Sequence, residues 1–253
     1  MKYVIADIHG CFLTLQRLIA QIERQDSDPS YLFMGDFVDR GLHSFETIEF
    51  LIALAEQRDC VFLRGNHDDV FYYITCGGDP ITDIGYYAGQ KNQEAAAKWL
   101  CRHGLNETRN SYLQNGFDFR VNGGLPESHR KFFENLQLMH VDKSWFATHA
   151  YYPPQLEVPR ESRFLRSEIR QDLLWSRFTE NELNRPTNWN DLRLFVGHTP
   201  TVNYHGVHEP LHTANVSLLD TGSFIPGGAL CAHCPETGQD IVISTLKEDI
   251  LTS

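Results

Sequence analysis

Gly-Asp-Phe-Val-Asp-Arg-Gly, at residues 35–41, follows directly on the apolar run Tyr-Leu-Phe-Met at residues 31–34. An apolar run of this length that ends at glycine and aspartate predicts a buried strand with polar side chains at its carboxyl end. The carboxyl ends of strands are where open α/β sheets bind their ligands. We therefore expect Asp36, Asp39 and Arg40 to lie in a functional site.

Three other segments repeat this design, with polar residues directly after a short apolar run. They are Asp-Ile-His-Gly at residues 7–10, Arg-Gly-Asn-His-Asp at 64–68 and Gly-His-Thr-Pro at 197–200. Apolar residues at helical spacing follow the first strand and the second, which predicts strand-helix units and an α/β core with parallel strands. A strand at 140–149 is expected to end at His149. The short strands from residue 192 onward predict an antiparallel second sheet packed on the first.

The chain has the composition of a globular protein. It has 253 residues, of which 42% are hydrophobic and 22% are charged, and no linker rich in proline, glycine or serine divides it. This length is near the upper end of what one hydrophobic core supports. We expect a single domain over residues 1–253, with a helical insertion at about 71–120 that contains a turn at 77–80 and a helix at 92–103.

The charge excludes some classes of partner. The formal net charge is -11 at pH 7, and a negative field repels nucleic acids and anionic membranes. No apolar run approaches the roughly 20 residues of a membrane span, and the amino terminus lacks the pattern of a signal peptide. We expect a cytoplasmic protein that binds neither nucleic acid nor membrane, and its oligomeric state is left open.

The six cysteines lack the density of a secreted disulfide scaffold. One group, Cys231-Ala232-His233-Cys234, has the spacing of half a zinc site. No second pair follows at zinc-ribbon spacing, and the group lies in a predicted terminal hairpin. We therefore interpret Cys231 and Cys234 as strand and turn residues.

The polar residues at the predicted strand ends form one chemical set of oxygen and imidazole donors. Its members are Asp7, His9, Asp36, Asn66, His149 and His198. Carboxylate and imidazole ligands without thiolate favour borderline divalent ions such as Mn²⁺, Fe²⁺ or Zn²⁺ over Ca²⁺. If two metals bind, one carboxylate must bridge them, and Asp36 is central enough to do so.

In this order along the chain, the four segments resemble the motifs of calcineurin-like metallophosphoesterases, specifically bacterial and phage members of the phosphoprotein phosphatase family. The resemblance covers about residues 3–70 and 126–233, and it implies a β-sandwich of mixed sheets flanked by helices. It also implies two divalent metals, with Mn²⁺ preferred and Fe²⁺ or Zn²⁺ as alternatives. One metal would be held by Asp7, His9 and Asp36, and the other by Asp36, Asn66, His149 and His198. A hydroxide bridging the metals would attack phosphorus directly, so that no phosphoenzyme forms.

The same resemblance implies roles for residues beside the metals. His67 matches the proton donor to the leaving group, and Asp39 matches the carboxylate that orients its imidazole. Arg40 and Arg64 match catalytic, phosphate-binding arginines, since a guanidinium engages two phosphate oxygens at once. The residues expected to hold the substrate phosphate are Arg40, Arg64, Arg177 and Asn66.

The leading hypothesis is a protein serine/threonine phosphatase that acts on phosphorylated proteins or small phosphate esters. One departure is Asp68, because the family usually has glutamate after Asn-His, and aspartate there occurs among dinucleotide polyphosphate hydrolases. A second departure is Ala150 after His149, where the family often has glycine. A symmetrical diadenosine tetraphosphate hydrolase is therefore the first alternative. A non-catalytic phosphate-binding module is the second.

Overall fold

The computed structural model describes residues 1–77, 93–119, 124–160 and 167–251. The predicted turn at 77–80, apart from Gly77, and residues 78–92 and 120 of the predicted insertion lie outside these ranges. The strands of the described residues form two five-stranded sheets. In chain order they are β1 (Lys2–Ile5), β2 (Ser30–Phe33), β3 (Cys60–Phe62), β4 (Met139–Val141), β5 (Trp145–Thr148), β6 (Arg193–Val196), β7 (Leu211–His212), β8 (Val216–Leu218), β9 (Ala229–Cys234) and β10 (Gln239–Ser244).

The first sheet has the strand order β10-β9-β1-β2-β3, and the second has the order β4-β5-β6-β8-β7. Strands β1, β2 and β3 are parallel, as their strand-helix pattern predicts. Strands β5, β6 and β8 are parallel in the second sheet. Each sheet also has antiparallel strands at its edge, so both sheets are mixed, and the predicted fold class is confirmed.

Helices follow most of the parallel strands. Those of the described residues are α1 (Phe12–Gln25), α2 (Ser44–Ala55), α3 (Asn66–Cys76), α4 (Gln93–Cys101), α5 (Leu105–Gln114), α6 (Glu127–Glu134), α7 (Arg170–Trp175), α8 (Glu180–Leu183) and α9 (Val202–His205). Helix α4 lies within the helix predicted at 92–103. Across the described ranges, none of the helices has both the length and the apolar character to cross a membrane.

Alternation along the strands builds the layers of the sandwich. On β1, Val4 belongs to the buried cluster between the two sheets, whereas Tyr3 and Ile5 belong to the cluster under the helices. On β5, Ala147 faces the first sheet and Phe146 packs into a third cluster on the outer side of the second sheet. Successive side chains of a strand point to opposite faces, so the central strands β1 and β5 are buried on both sides.

Two predictions about strands are wrong. The tail does not form one antiparallel sheet, because β6 and β8 pair in parallel within the second sheet while β9 and β10 join the first sheet beside β1. The strand predicted at 140–149 is a hairpin, β4 and β5, that reverses at residues 142–144. An alternating pattern indicates which face of a strand is buried but does not encode its partner.

The strand-end loops meet at one edge of the sandwich. The amide of His9 donates to the carbonyl oxygen of Asp36 at 2.8 Å, which joins the loops after β1 and β2. The amide of Gly197 donates to the carbonyl oxygen of His149 at 2.8 Å, which joins the loops after β5 and β6. The polar segments recognised in the sequence are therefore neighbours in space.

Candidate metal centre

The six predicted metal ligands converge in the interior, where each is at most 9% exposed. Two groups of three side chains, which share Asp36, have potential ligand atoms within 4.8 Å of one another. The first group is Asp36 with His9 and His67, and the second is Asp36 with His149 and His198. Burial of this many ionisable groups is costly unless they are paired or bind an ion.

Asp36 lies between the two groups. Its Oδ2 is 3.4 Å from Nε2 of His9, and its Oδ1 is 3.5 Å from Nε2 of His149. Each oxygen of one carboxylate therefore faces a different imidazole, which is the arrangement that a bridging ligand needs. The residue has a φ of 53°, and this left-handed backbone turns the carboxylate into the site.

Asp68 holds this loop in place. Its Oδ2 accepts hydrogen bonds from the amides of Asp36 at 2.7 Å and Gly65 at 2.9 Å, and its Oδ1 accepts one from the amide of Phe37 at 2.9 Å. The aspartate that departs from the usual glutamate thus ties the loop after β2 to the start of α3. These three hydrogen bonds from main-chain amides fix the position of the backbone around Asp36.

Three imidazoles are oriented by main-chain carbonyl groups. In each ring, the nitrogen that points away from the centre contacts a carbonyl oxygen. Nδ1 of His9 is 2.9 Å from the carbonyl oxygen of Val38, and Nδ1 of His149 is 2.8 Å from the carbonyl oxygen of Met34. Nε2 of His198 is 3.2 Å from the carbonyl oxygen of Trp175. Burial lowers the pKa of all three rings, that of His149 to about 4. In a neutral ring whose outer nitrogen carries the proton, the inner nitrogen presents a lone pair, as a metal ligand does.

These lone pairs face oxygen atoms that are themselves acceptors. Oδ1 of Asn66 is 3.1 Å from Nε2 of His149 and 2.9 Å from Nδ1 of His198. Oδ1 of Asp7 is buried and has no hydrogen-bond partner among the described residues, although its Oδ2 accepts from the amide of His198 at 2.9 Å. Converging acceptors repel one another, and a cation between them removes the repulsion. The residues present therefore fit divalent metal ions.

Burial also raises the pKa values of the carboxyl groups in the centre. The pKa of Asp36 rises to about 7, and that of Asp7 rises well above its usual value, through burial first and then through the negative charges of Asp220 and Asp36. Without an ion, the site therefore favours protonated carboxyls. A divalent cation supplies the positive charge that makes the ionised forms stable.

His67 and Asp39 form a buried pair beside this centre. Nδ1 of His67 is 2.7 Å from Oδ2 of Asp39, and Oδ1 of Asp39 accepts a hydrogen bond from Oγ1 of Thr108 at 2.8 Å. Nε2 of His67 is 3.2 Å from Nη2 of Arg40. Burial, followed by the charge of Arg40, lowers the pKa of His67, whereas burial raises the pKa of Asp39. The carboxylate thus fixes the ring with a proton on Nδ1.

A cleft of about 210 Å³ opens over the centre. Its lining residues are Asp36, Arg40, Asn66, His67, Trp99, His103, Trp175, Arg177 and His198. Arg40 and Arg177 both contribute to it, and the guanidinium of Arg40 lies 4.0 Å from the centre of the Phe224 ring. The cleft therefore combines carboxylate, imidazole and guanidinium groups, as a site for a phosphate ester requires.

Arg64 is not among the residues that line this cleft, and its role in holding phosphate stays a prediction. Its Nη1 donates to Oδ1 of Asp69 at 3.0 Å, and its Nη2 donates to the carbonyl oxygen of Phe133 at 2.7 Å. The side chain is 8% exposed and connects α3 to α6. The carboxylate of Asp69, five residues further along the chain, binds the guanidinium of Arg64. The position of Arg64 next to the Gly-Asn-His-Asp motif does not predict this contact.

Sequence reasoning missed several residues around the centre. Thr108, Trp99 and His103 come from the segment predicted as an insertion, which has no strand-end pattern. Asp220 is 2% exposed, and burial raises its pKa to about 6. It follows β8 as the other site residues follow their strands, so the same strand-end signal could have found it.

A sequence model described as calcineurin-like phosphoesterase matches residues 3–233. One similar solved structure is a putative diadenosine tetraphosphatase, with a TM-score of 0.59 and 17% identity over 97% of this chain and 94% of that chain.

Two further solved structures are phosphatases. One is a protein serine/threonine phosphatase from Saccharomyces cerevisiae with similarity to human phosphatase PP5, with a TM-score of 0.51 and 16% identity over 96% of this chain and 79% of that chain. The other is a cold-active protein-tyrosine phosphatase of a psychrophile, Shewanella sp., with a TM-score of 0.52 and 16% identity over 96% of this chain and 80% of that chain. At such low identity these likenesses show the fold alone.

Proposed function

The chain belongs to the calcineurin-like phosphoesterase family, and from that premise we propose that it is a metal-dependent phosphomonoesterase acting on phosphoserine and phosphothreonine in proteins. Membership implies a hydrolase of phosphoester bonds. The proposal of phosphoserine and phosphothreonine as substrates rests on the cleft, which His67, Arg40 and Arg177 line together with Asp36 and Asn66. We propose the same cleft as the site for small phosphate esters.

The metal-ligand sets that we propose are those expected from the sequence. Asp7, His9 and Asp36 would hold one divalent ion, and Asp36, Asn66, His149 and His198 would hold the other. Bound metals would lower the pKa of a water nucleophile and neutralise charge on the phosphoryl oxygens. Imidazole and carboxylate donors are compatible with Mn²⁺, which we propose as the working metal, and with Fe²⁺ or Zn²⁺.

The protein's own groups would then bind the ester and donate the proton. Arg40 and Arg177 would bind the non-bridging phosphate oxygens, because planar guanidinium groups match their geometry. His67 would take up a second ring proton from solvent at Nε2 and donate it to the leaving alkoxide. Asp39 would keep the other ring proton on Nδ1 and stabilise the cationic ring, which burial and Arg40 disfavour. A serine or threonine side chain is a poor leaving group, so this proton transfer matters most for those substrates.

Hydrolysis of diadenosine tetraphosphate is the second candidate, and the aromatic side of the cleft favours it. The ring of Trp99 stacks on His103 with centres 4.2 Å apart and meets Trp175 edge-on at 5.1 Å. Such faces stack nucleobases. The volume of the cleft, about 210 Å³, instead favours a phosphoserine or phosphothreonine side chain over diadenosine tetraphosphate. Sites for drug-sized ligands are larger, at roughly 300–1,000 Å³.

The test is turnover of a phosphoserine peptide and of diadenosine tetraphosphate side by side with Mn²⁺, using the wild type and Asp36→Asn. We expect phosphate release from the peptide, and loss of this activity in the variant. Preferential release of ADP from the dinucleotide would overturn the proposal in favour of the second candidate. Metal binding without turnover of either substrate would leave a phosphate-binding role.

A further inference from the structure

A second group of metal-ligating side chains lies apart from the cleft, where the outer strands of the two sheets meet. His212 is on β7, the last strand of the second sheet, and Asp240 is on β10, the last strand of the first. His233 is on β9 and pairs directly with Asp240 in the antiparallel register. We call these three side chains the seam cluster, because they connect one sheet to the other.

The seam cluster has the geometry of a tridentate site. Oδ2 of Asp240 is 2.9 Å from Nε2 of His212, and its Oδ1 is 2.7 Å from Nδ1 of His233. The two imidazole rings have their centres 5.0 Å apart, and one ligand atom from each residue lies within 4.8 Å of the others. Three donors from three strands are therefore close enough to share one ion.

One imidazole of the cluster is oriented by groups outside it. Nδ1 of His212 is 2.8 Å from Oγ of Ser217, and the same hydroxyl accepts a hydrogen bond from Nη1 of Arg193 at 3.0 Å. The guanidinium also donates to the carbonyl oxygens of Thr213 and Ala214, so its position is set by three acceptors. When Nδ1 of His212 carries the ring proton and donates it to Ser217, Nε2 presents a lone pair that can bind a metal, as in known metal sites.

Solvent ions can reach the cluster. His212, His233 and Ser217 line a cavity of about 350 Å³, which has room for an ion and its water ligand. The side chains of His212 and Asp240 are 34% and 24% exposed, whereas that of His233 is 8% exposed. The cluster thus differs from the buried centre beneath the cleft, and its metal should exchange more readily.

The structure also explains why the Cys-Ala-His-Cys spacing is misleading. Cys231 belongs to the buried cluster between the sheets, whereas Cys234 belongs to the cluster under the helices. They lie on opposite faces of β9 and cannot bind the same ion. His233 is the member of that group with suitable partners, and these come from other strands.

We propose that the seam cluster is a Zn²⁺ site formed by His212, His233 and Asp240, with water completing the coordination. Two imidazoles and one carboxylate favour zinc over Mg²⁺ or Ca²⁺. Binding displaces the ring proton that faces Asp240 in each imidazole. A neutral ring then carries its proton on the other nitrogen, whereas a doubly protonated ring releases one proton to solvent. The contacts of 2.7–2.9 Å would widen to about 3.3 Å, the spacing set by metal–ligand bonds of about 2.0–2.1 Å at tetrahedral angles.

The consequence would be a cross-link between the two sheets. The ion would join β7, the outer strand of the second sheet, to β9 and β10 of the first sheet. It would therefore stabilise the folded state by binding to it alone, without taking part in the chemistry of the cleft. This proposal does not depend on the substrate.

The test measures Zn²⁺ bound per chain after equilibrium dialysis of the full-length protein against micromolar Zn²⁺. Asp240→Asn and His212→Gln should each bind one ion fewer than the wild type. His205→Gln serves as the control, because it removes a histidine outside the cluster on α9. The cleft is the same in all four proteins, so its metals cancel in the comparison.

A thermal shift provides the second measurement. Zn²⁺ should raise the Tm of the wild type and the control more than that of the two variants, and turnover should stay unchanged. If Asp240→Asn does not fold, His212→Gln tests the proposal alone. His212 lies on the outer strand β7 and its side chain is 34% exposed, so this variant should fold. Equal zinc content and equal thermal shifts in wild type and variants would overturn the proposal.

Discussion

Replacing Asp36 with asparagine should make the metal-free protein more stable while removing its activity. The Asp36 side chain is 2% exposed, and burial raises its pKa to about 7. At neutral pH and above, the metal-free folded state must therefore hold an ionised carboxylate in surroundings that disfavour it. Asparagine has nearly the same shape and carries no charge, so the substitution removes this penalty.

The magnitude follows from the size of the pKa shift. A rise from 3.8 to about 7, at 1.36 kcal/mol for each pKa unit, corresponds to roughly 4 kcal/mol when the group is ionised in both states. The asparagine oxygen can keep the bond from the amide of His67, and its nitrogen would face Nε2 of His9. We expect a gain of about 2–4 kcal/mol, or roughly 5 to 15 °C in Tm for a chain of this length.

The pH dependence of this gain has a definite sign. The pKa of Asp36 is raised in the folded state, so its contribution to stability is present below its unfolded value of 3.8 and is lost as pH rises through about 7. The difference in Tm between variant and wild type should therefore widen from about pH 5 to about pH 8. Neighbouring histidines affect both proteins alike to first order.

The assay is thermal unfolding of chelator-treated protein, repeated after addition of Mn²⁺. The metal should raise the Tm of the wild type and leave that of Asp36→Asn almost unchanged. Asp249→Asn is a matched control, because Asp249 is also buried but accepts hydrogen bonds from the amides of Leu13 and Thr14. It should lower stability by about 1–3 kcal/mol. A metal-free Asp36→Asn protein no more stable than wild type at about pH 8 would refute the reasoning.

Three further substitutions test the cleft. His67→Asn should keep its metals yet lower kcat at least about a hundredfold for phosphoserine, with a smaller loss for an aryl phosphate; equal losses for both substrates would contradict a proton-donor role. Thr108→Val removes the hydroxyl that contacts both the amide and the carboxylate of Asp39, so kcat should fall by roughly tenfold with KM almost unchanged, measured by steady-state kinetics. Arg177→Ala should raise KM for phosphate esters by roughly tenfold or more, and an unchanged KM would exclude Arg177 from phosphate binding.

The architecture near the strands that carry the motifs could be predicted well from sequence. The parallel strands β1, β2 and β3, each followed by polar residues, are present at nearly the predicted positions. The predicted donors Asp36 and Asn66 lie together as expected from their place at strand ends. Apolar length and alternation are properties of the chain itself, so these features can be read before any contact is known.

Other features depended on which distant segments meet. Arg64 turned to Asp69 and the carbonyl of Phe133, away from the cleft, because those acceptors are closer in the fold. The orienting hydroxyl of Thr108 lies 69 residues from Asp39 along the chain, and no local pattern marks it. The strands after residue 192 belong to two different sheets, because β9 pairs with β1, which lies more than 220 residues earlier in the chain.

The sequence by itself determined the chemical types of the ligands and their place at strand ends. Because side chains alternate along a strand, the spacing of Cys231 and Cys234 also determines that they lie on opposite faces of β9. Only the tertiary structure decided that Asp36 faces two imidazoles, and that His212 meets His233 and Asp240 across the seam. The physical reason is that periodicity acts over a few residues, whereas strand pairing and side-chain hydrogen bonds depend on the closure of long loops.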